Sequence, residues 1–299
     1  MSDRLVGIDV GGTKTLAVAI KRDQPAVVLE QRIVRTPSTA EGVLGQLIDL
    51  AVAMGAVDSL GVGLAGLVEN GDVLRAAPNL TCMIDVSAQA ALQEKLGISI
   101  RIENDATCAL IAEMEIGVGR DDSDVVLVTL GTGIGGAIAI DGKIRRGAHG
   151  FAGEPGHMCV NPNGPVCVCG RRGCWERYAS GTGLVWLARQ QGLASVEGRE
   201  AVTSEELVSR ARAGDADALA VWDEFAEWLA LGLANLADVL DPALLVLGGG
   251  LTEVADLYLD RTRERFVDEV LGGRSRSGTR IEVAQSGPTA GAIGAALLH

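Results

Sequence analysis

The stretch Val125-Val-Leu-Val-Thr-Leu-Gly-Thr-Gly-Ile-Gly-Gly-Ala-Ile-Ala-Ile-Asp-Gly-Lys-Ile144 decides the fold. Residues 125–130 are an apolar strand pattern, 131–136 a glycine turn, and 137–140 pass through Asp141-Gly142 into Lys143-Ile144 as a hairpin. The same order opens the chain. Residues 5–9 run into Gly11-Gly12-Thr13-Lys14, residues 15–20 resume a β-branched pattern, and 26–34 add a third strand. One pattern met twice, about 120 residues apart, predicts an α/β protein built from duplicated halves. Two lobes facing each other would leave a cleft, and such interfaces are where small ligands bind.

Between the two occurrences, 41–54 has helical spacing, 60–64 is a short buried strand closed by Ala65-Gly66, and 87–96 is a helix ending at Gly97. Beyond the second, helices are expected at 182–191, 203–212, 215–240 and 253–271, with strands at 243–247 and 280–284. The pattern divides the chain into a small α/β domain, 1–107, and a larger one, 108–288, with a small-residue helix at 289–299 packing back on the first.

Composition bounds the rest. With 299 residues, 47% apolar and 22% charged, the chain can bury two ordinary cores, which excludes disordered and fibrous classes. Aromatics are 3% and glycines number 40, so cores must be aliphatic. The 26 basic against 39 acidic residues give a net charge of -13, which repels nucleic acid and anionic membranes. The start lacks a secretory pattern, and no run reaches about 18 apolar residues, so a cytoplasmic protein is expected.

Three glycine turns each follow a strand: Asp9-Val-Gly11-Gly12-Thr13-Lys14, Gly131-Thr132-Gly133-Ile134-Gly135-Gly136, and Gly248-Gly249-Gly250. Such turns let backbone amides point into a cavity and donate to phosphate oxygens. None fits the P-loop pattern. The middle one matches G-x-G-x-x-G, but a dinucleotide site needs a helix straight after it, and a hairpin follows instead. A dehydrogenase is therefore disfavoured.

His157, Cys167, Cys169 and Cys174 are spaced H-x9-C-x-C-x4-C. Three thiolates and one imidazole would complete a tetrahedral zinc shell with no open position, hence a structural Zn²⁺. Cys82, Cys108 and Cys159 read as small core residues. Asp105 follows a strand and opens a helix, so it is either a helix cap or a candidate base. Glu154 and Glu176 flank the cysteine loop. Acids and an imidazole around a concave surface suit a polyhydroxylated ligand.

Together these segments resemble the ROK family of sugar kinases and repressors, within the actin-like and hexokinase-like ATPase superfamily. The match runs from Asp9-Val-Gly-Gly-Thr-Lys14 through Glu103-Asn-Asp105 and Leu130-Gly-Thr-Gly-Ile-Gly-Gly136. It continues through Glu154-Pro-Gly-His-Met158, Cys167-Val-Cys-Gly-Arg-Arg-Gly-Cys-Trp-Glu176 and Tyr178-Ala-Ser-Gly181 to Leu247-Gly-Gly-Gly250. The resemblance implies ATP-dependent phosphorylation of a hexose, with Asp105 taking the proton of the attacking hydroxyl. It implies that Asn104, Glu154, His157 and Glu176 hold sugar hydroxyls, with Gly66 and Asn79 lining the same pocket. The turns at Gly11 to Lys14 and Gly131 to Gly136 would contact phosphates, Gly248 to Gly250 the adenosine side, and Asp9 would position Mg²⁺ through water.

Repressors of this family carry a DNA-binding segment ahead of the first phosphate strand, and here that strand starts near Leu5, which favours a kinase. The intact cysteine loop with Glu154, His157 and Glu176 is most similar to bacterial glucokinases, so glucose is the expected acceptor. A kinase for N-acetylmannosamine or another hexose is the alternative. A zinc-stabilised binding protein or sugar-responsive regulator is the alternative of another class. Relatives of this kind are usually homodimers or homotetramers.

Overall fold

The computed structural model describes residues 3–195, 202–275 and 278–298. The chain opens with strands β1 (Arg4–Val10), β2 (Lys14–Lys21) and β3 (Gln24–Arg35) and helix α1 (Ala40–Ala53). There follow β4 (Ser59–Leu64), β5 (Leu67–Glu69), β6 (Val73–Ala76), α2 (Ala88–Leu96), β7 (Ser99–Asn104) and α3 (Asp105–Ile116). The second series is β8 (Val125–Leu130), β9 (Ile134–Ile140), β10 (Lys143–Ile144), α4 (Gly181–Gln190), α5 (Ser204–Arg212) and α6 (Ala216–Leu240). It closes with β11 (Leu244–Gly248), α7 (Leu259–Glu269), β12 (Arg280–Val283) and α8 (Ala290–Ala296).

The duplication is visible in the sheets. One has the order β3-β2-β1-β4-β7, the other β10-β9-β8-β11-β12, so each strand of the first has a counterpart in the second. In the first, β1 and β2 are antiparallel while β4 lies parallel to both β1 and β7. In the second, β11 lies parallel to both β8 and β12. A glycine turn after the first strand of each series is the start of an antiparallel hairpin in one case and leads directly into β9 in the other.

The chain forms two compact units, one of Met1–Ser123, Ala137–Gly153 and Ala284–His299, the other of Asp124–Gly136 and Glu154–Val283. The position near 107 falls inside α3, which packs with α8 in the first unit. On one side of the first sheet, Ile8, Val62 and Ile102 pack with Leu47 of α1, Met54 just after it, and Leu92 of α2. On the other, Leu16, Val18 and Ile20 meet Ala112 of α3 and Ile293 and Ala296 of α8. α8 comes so near the sheet that a Cβ on Gly61 would overlap the Ala295 carbonyl, which is why small residues recur on both sides. His299, included in the expected C-terminal helix, lies outside the described residues.

Glu113 of α3 is fully buried and accepts three backbone N–H groups, from Val118 at 3.0 Å, Gln285 at 3.1 Å and Ser286 at 2.7 Å. It thereby fastens the segment that leads into α8.

The second unit gathers most of the scarce aromatic residues. The buried Trp175 indole donates to the Trp228 carbonyl at 2.7 Å, and Tyr178 stacks on Trp228 with ring centroids 4.1 Å apart. α6 supplies Val221, Phe225, Leu229 and Leu233 to this core. The expected helix 253–271 is broken: Gly250–Leu257 is a tight 3₁₀ segment with a non-helical Val254, and the regular helix starts only at Leu259. The hairpin β5–β6 was not expected either, because each of its strands is too short to carry a period.

Candidate active site

In the first unit, Asp9 stands near the end of β1 and Asp105 at the junction of β7 and α3. Asn104 settles which residue caps the helix. Its Oδ1 accepts the Thr107 N–H at 2.9 Å, and its Nδ2 donates to Asp105 Oδ1 and to the Gly66 carbonyl, both at 3.0 Å. Asp105 Oδ1 also accepts the Ala106 N–H at 2.8 Å. Asp105 is thus held in place but does not serve as the cap, so its carboxylate is available for other work.

Both acids titrate high. Burial pushes Asp105 up to about 6, against the opposing hydrogen bonds of Ala106 and Asn104. Burial and the neighbouring charge of Asp105 push Asp9 up to about 7, with Lys14 pulling the other way. Gly63 separates them: a Cβ there would lie 3.6 Å from both Asp9 Oδ1 and Asp105 Cα. Two carboxylates crowded in this way fit a bound divalent cation, whose charge would offset their mutual repulsion.

The adjoining glycine turn is closed by the Gly11 N–H donating to the Lys14 carbonyl at 3.0 Å. Thr36, just after β3, braces it: its hydroxyl donates to the Gly11 carbonyl at 2.7 Å and its N–H to Thr13 O at 3.1 Å. A Cβ on Gly12 would come within 2.6 Å of Asn79 Cβ, so only glycine lets Asn79 sit against the turn. Gly66, at φ +142, presses against the Ala76 carbonyl and presents its own carbonyl to Asn104. Of the expected first-unit residues, Asp9, Gly11, Gly12, Thr13, Lys14, Gly66, Asn79, Asn104 and Asp105 all lie on these connected turns and strand ends.

In the second unit, His157, Cys167, Cys169 and Cys174 offer ligand atoms that all lie within 4.8 Å of one another. Cys169 and Cys174 Sγ are 3.5 Å apart, and Cys167 Sγ is 3.8 Å from His157 Nδ1. Tetrahedral Zn–S and Zn–N bonds put ligand atoms roughly 3.5–3.8 Å apart, so the donor set fits zinc. Glu176 sits on the same cluster: its Oε1 accepts from Cys167 Sγ at 2.8 Å and lies 3.7 Å from His157 Nδ1. Its Oε2 occupies the space a side chain at Gly133 would need. Glu154 precedes the tight turn that presents His157, its carbonyl accepting the His157 N–H at 3.2 Å.

The glycine turn after β8 is pinned to α4. Gly181 N–H donates to the Gly131 carbonyl at 2.8 Å, and Thr182 Oγ1 donates to the Thr132 carbonyl at 2.9 Å. A cavity of about 620 Å³ opens beside it, lined by Gly131, Thr132, Thr182, Trp186, Arg189 and Gly250 among others. Gly249, at φ +84, packs on the backbone of Leu130, joining the turn after β11 to the one after β8. Gly248 closes β11, while Gly135 lies within β9 rather than in the turn. The chain after Gly133 is strand, which removes the helix a dinucleotide site requires.

One cysteine departs from expectation. Cys159 is exposed rather than in the core, because it lies on the loop and pairs with Cys174 only through an isolated β-bridge; Cys108 is buried and Cys82 half-buried. Several contacts around the site carry no sequence pattern. Glu103 is buried, accepts the Asn104 N–H at 3.0 Å and pairs with Arg146. Gly291 of α8 faces Asp9, since a Cβ there would be 2.8 Å from Oδ2. The matching Thr36 brace is likewise a contact between distant segments.

Duplicated five-stranded sheets, glycine turns at strand ends, a crowded acidic pair and a Cys₃His loop define a protein of the actin-like and hexokinase-like ATPase type. The chain belongs to the ROK family, whose model matches residues 5–299. It is similar to the glucokinase of Streptomyces coelicolor, 34% identical over 97% of this chain and 96% of that protein. The N-acetyl-D-glucosamine kinase of Pectobacterium atrosepticum is 32% identical, covering 98% of each. Among solved structures, a ROK family glucokinase from Streptomyces griseus in complex with glucose and AMPPNP is 36% identical, with a TM-score of 0.85 over 99% of this chain and 98% of that one. Among the described residues no helix is long and apolar enough to cross a membrane.

Proposed function

We propose that the protein is an ATP-dependent hexokinase that converts glucose to glucose 6-phosphate, with Asp105 as general base. The observation that carries this reading is the Asn104–Asp105 pair. Asn104 takes the cap, and Asp105 is left as a positioned carboxylate with a titration point near 6, ionised at neutral pH yet basic enough to accept a hydroxyl proton. The similarity to bacterial glucokinases supports glucose as the acceptor.

In this reading the sugar hydroxyls are held by Asn104, Glu154, His157 and Glu176, with Gly66 and Asn79 lining the pocket. His157 turns Nδ1 to the thiols, so Nε2 remains for the sugar. The turns at Gly11 to Lys14 and Gly131 to Gly136 contact phosphate oxygens, and the cavity beside Trp186 and Gly250 takes the nucleoside. Phosphoryl transfer needs alignment and charge neutralisation rather than covalent help from the protein. Bound Mg²⁺ would supply neutralisation of the phosphates; Asp9 is the residue that would hold it through water. Zn²⁺ in the Cys₃His shell would be structural and would fix His157 and Glu176.

An ADP-release assay over hexoses and N-acetylhexosamines tests the proposal. Glucose should give the highest kcat/KM. Preference for an N-acetylhexosamine would move the acceptor to the second class of relatives, and no ADP release with any sugar would overturn the kinase reading.

A further inference from the structure

Lys14 and Arg35 stand directly opposite one another on β2 and β3. The Thr36 N–H bonds to the Thr13 carbonyl at 3.1 Å, so residues 13 and 36 form a hydrogen-bonded pair of the antiparallel ladder. The next pair, Lys14 and Arg35, is then of the non-hydrogen-bonded kind, in which side chains are closest and share a face. Like charges directly opposite destabilise a sheet. Both residues are exposed, and among the described residues neither side chain forms a hydrogen bond or an ion pair, in a chain with 39 acidic residues against 26 basic. Beside them lies a cavity of about 440 Å³ that Arg35 lines with Gly12, Thr13, Ser38, Asn79 and Thr81. Hydroxyls, turn backbone and a guanidinium therefore converge where the phosphate turn meets Asn79.

We infer that Arg35 joins Lys14 in an anion subsite for a terminal phosphoryl group. The subsite explains why two cations stand abreast with neither side chain in an ion pair, Lys14 feeling Asp9 only through its field: the neutralising charge arrives with the ligand. The chemistry, a phosphate dianion on a small body, is shared by the donor before transfer and the hexose phosphate after it. The inference rests on the kinase reading for the identity of those two ligands.

The test compares wild type, Arg35→Gln and Arg35→Lys. KM for Mg-ATP and for glucose, inhibition by glucose 6-phosphate, and melting temperature with and without inorganic phosphate are measured. Arg35→Gln should weaken ATP or glucose 6-phosphate by about tenfold or more, as loss of a charge-assisted contact does, and leave the glucose KM unchanged. Arg35→Lys should recover part of it. A shift in KM for ATP alone assigns the subsite to the donor; a shift in glucose 6-phosphate inhibition alone assigns it to the product. Without phosphate, Arg35→Gln should melt no lower than wild type, because it removes a repulsion, and phosphate should stabilise it less. Unchanged ATP and glucose 6-phosphate constants in an active Arg35→Gln enzyme overturn the subsite. So does a lower melting point in phosphate-free buffer accompanied by equal losses for every substrate. A wild-type protein that phosphorylates no sugar overturns the kinase reading instead, and the phosphate-dependent melting shift then tests the subsite alone.

Discussion

Asn104 holds Asp105 with a 3.0 Å hydrogen bond from Nδ2 to Oδ1 while its own Oδ1 caps α3 on the Thr107 N–H at 2.9 Å. One side chain thus starts the helix and orients the proposed base. Asp105→Ala should lower kcat by roughly 10²–10⁴-fold with glucose binding retained, as read by calorimetry. Asn104→Ala should cost about 0.5–2 kcal/mol of stability and lower kcat as well, because both the cap and the tether go.

The acid limb of the pH profile follows from burial. Asp105 must be ionised to accept a proton, so kcat/KM should rise with pH through about 6. Stability carries the opposite sign. A carboxylate whose folded pKa lies above its ordinary 3.8 stabilises the protein below that value and loses the contribution as pH rises through about 6. The melting temperature of the magnesium-free protein should carry a component that falls over the range in which activity climbs. A profile with no limb near 6 would point to a different base.

Cys169→Ser should remove bound zinc, measured by elemental analysis against protein, and with it the ordering of Glu176 and His157. Glucose KM should then rise more than ATP KM, since the turn at Gly131 is pinned independently by Gly181 and Thr182. Loss of zinc with unchanged glucose KM would contradict the proposed link.

Glu113→Ala leaves the Val118, Gln285 and Ser286 N–H groups without their buried acceptor. At about 1–3 kcal/mol for each unsatisfied group, the loss should reach several kcal/mol in denaturant unfolding. Glu113→Gln, which keeps one acceptor oxygen, should lose less.

Gly291→Ala would drive a methyl group to 2.8 Å from Asp9 Oδ2. Activity should fall and the magnesium requirement rise, with far-ultraviolet circular dichroism unchanged. Normal magnesium dependence in this variant would separate Asp9 from the metal.

By itself the sequence determined the duplicated α/β order, the three glycine turns and the zinc-type spacing, because each is a local pattern written in adjacent residues. Periodicity of apolar residues sets strand and helix, and four ligands inside eighteen positions, from His157 to Cys174, need little folding to converge. The same local information could not say whether Asp105 caps the helix; tertiary structure decided that by giving the cap to Asn104, itself anchored on Gly66, which leaves Asp105 free for the proposed role. Thr36 against Gly11, Glu103 against Arg146, Gly291 against Asp9, and Glu113 against Ser286 are contacts between segments distant in the chain. No periodicity reports such contacts. They exist because burial forces polar groups to find partners wherever the fold supplies them.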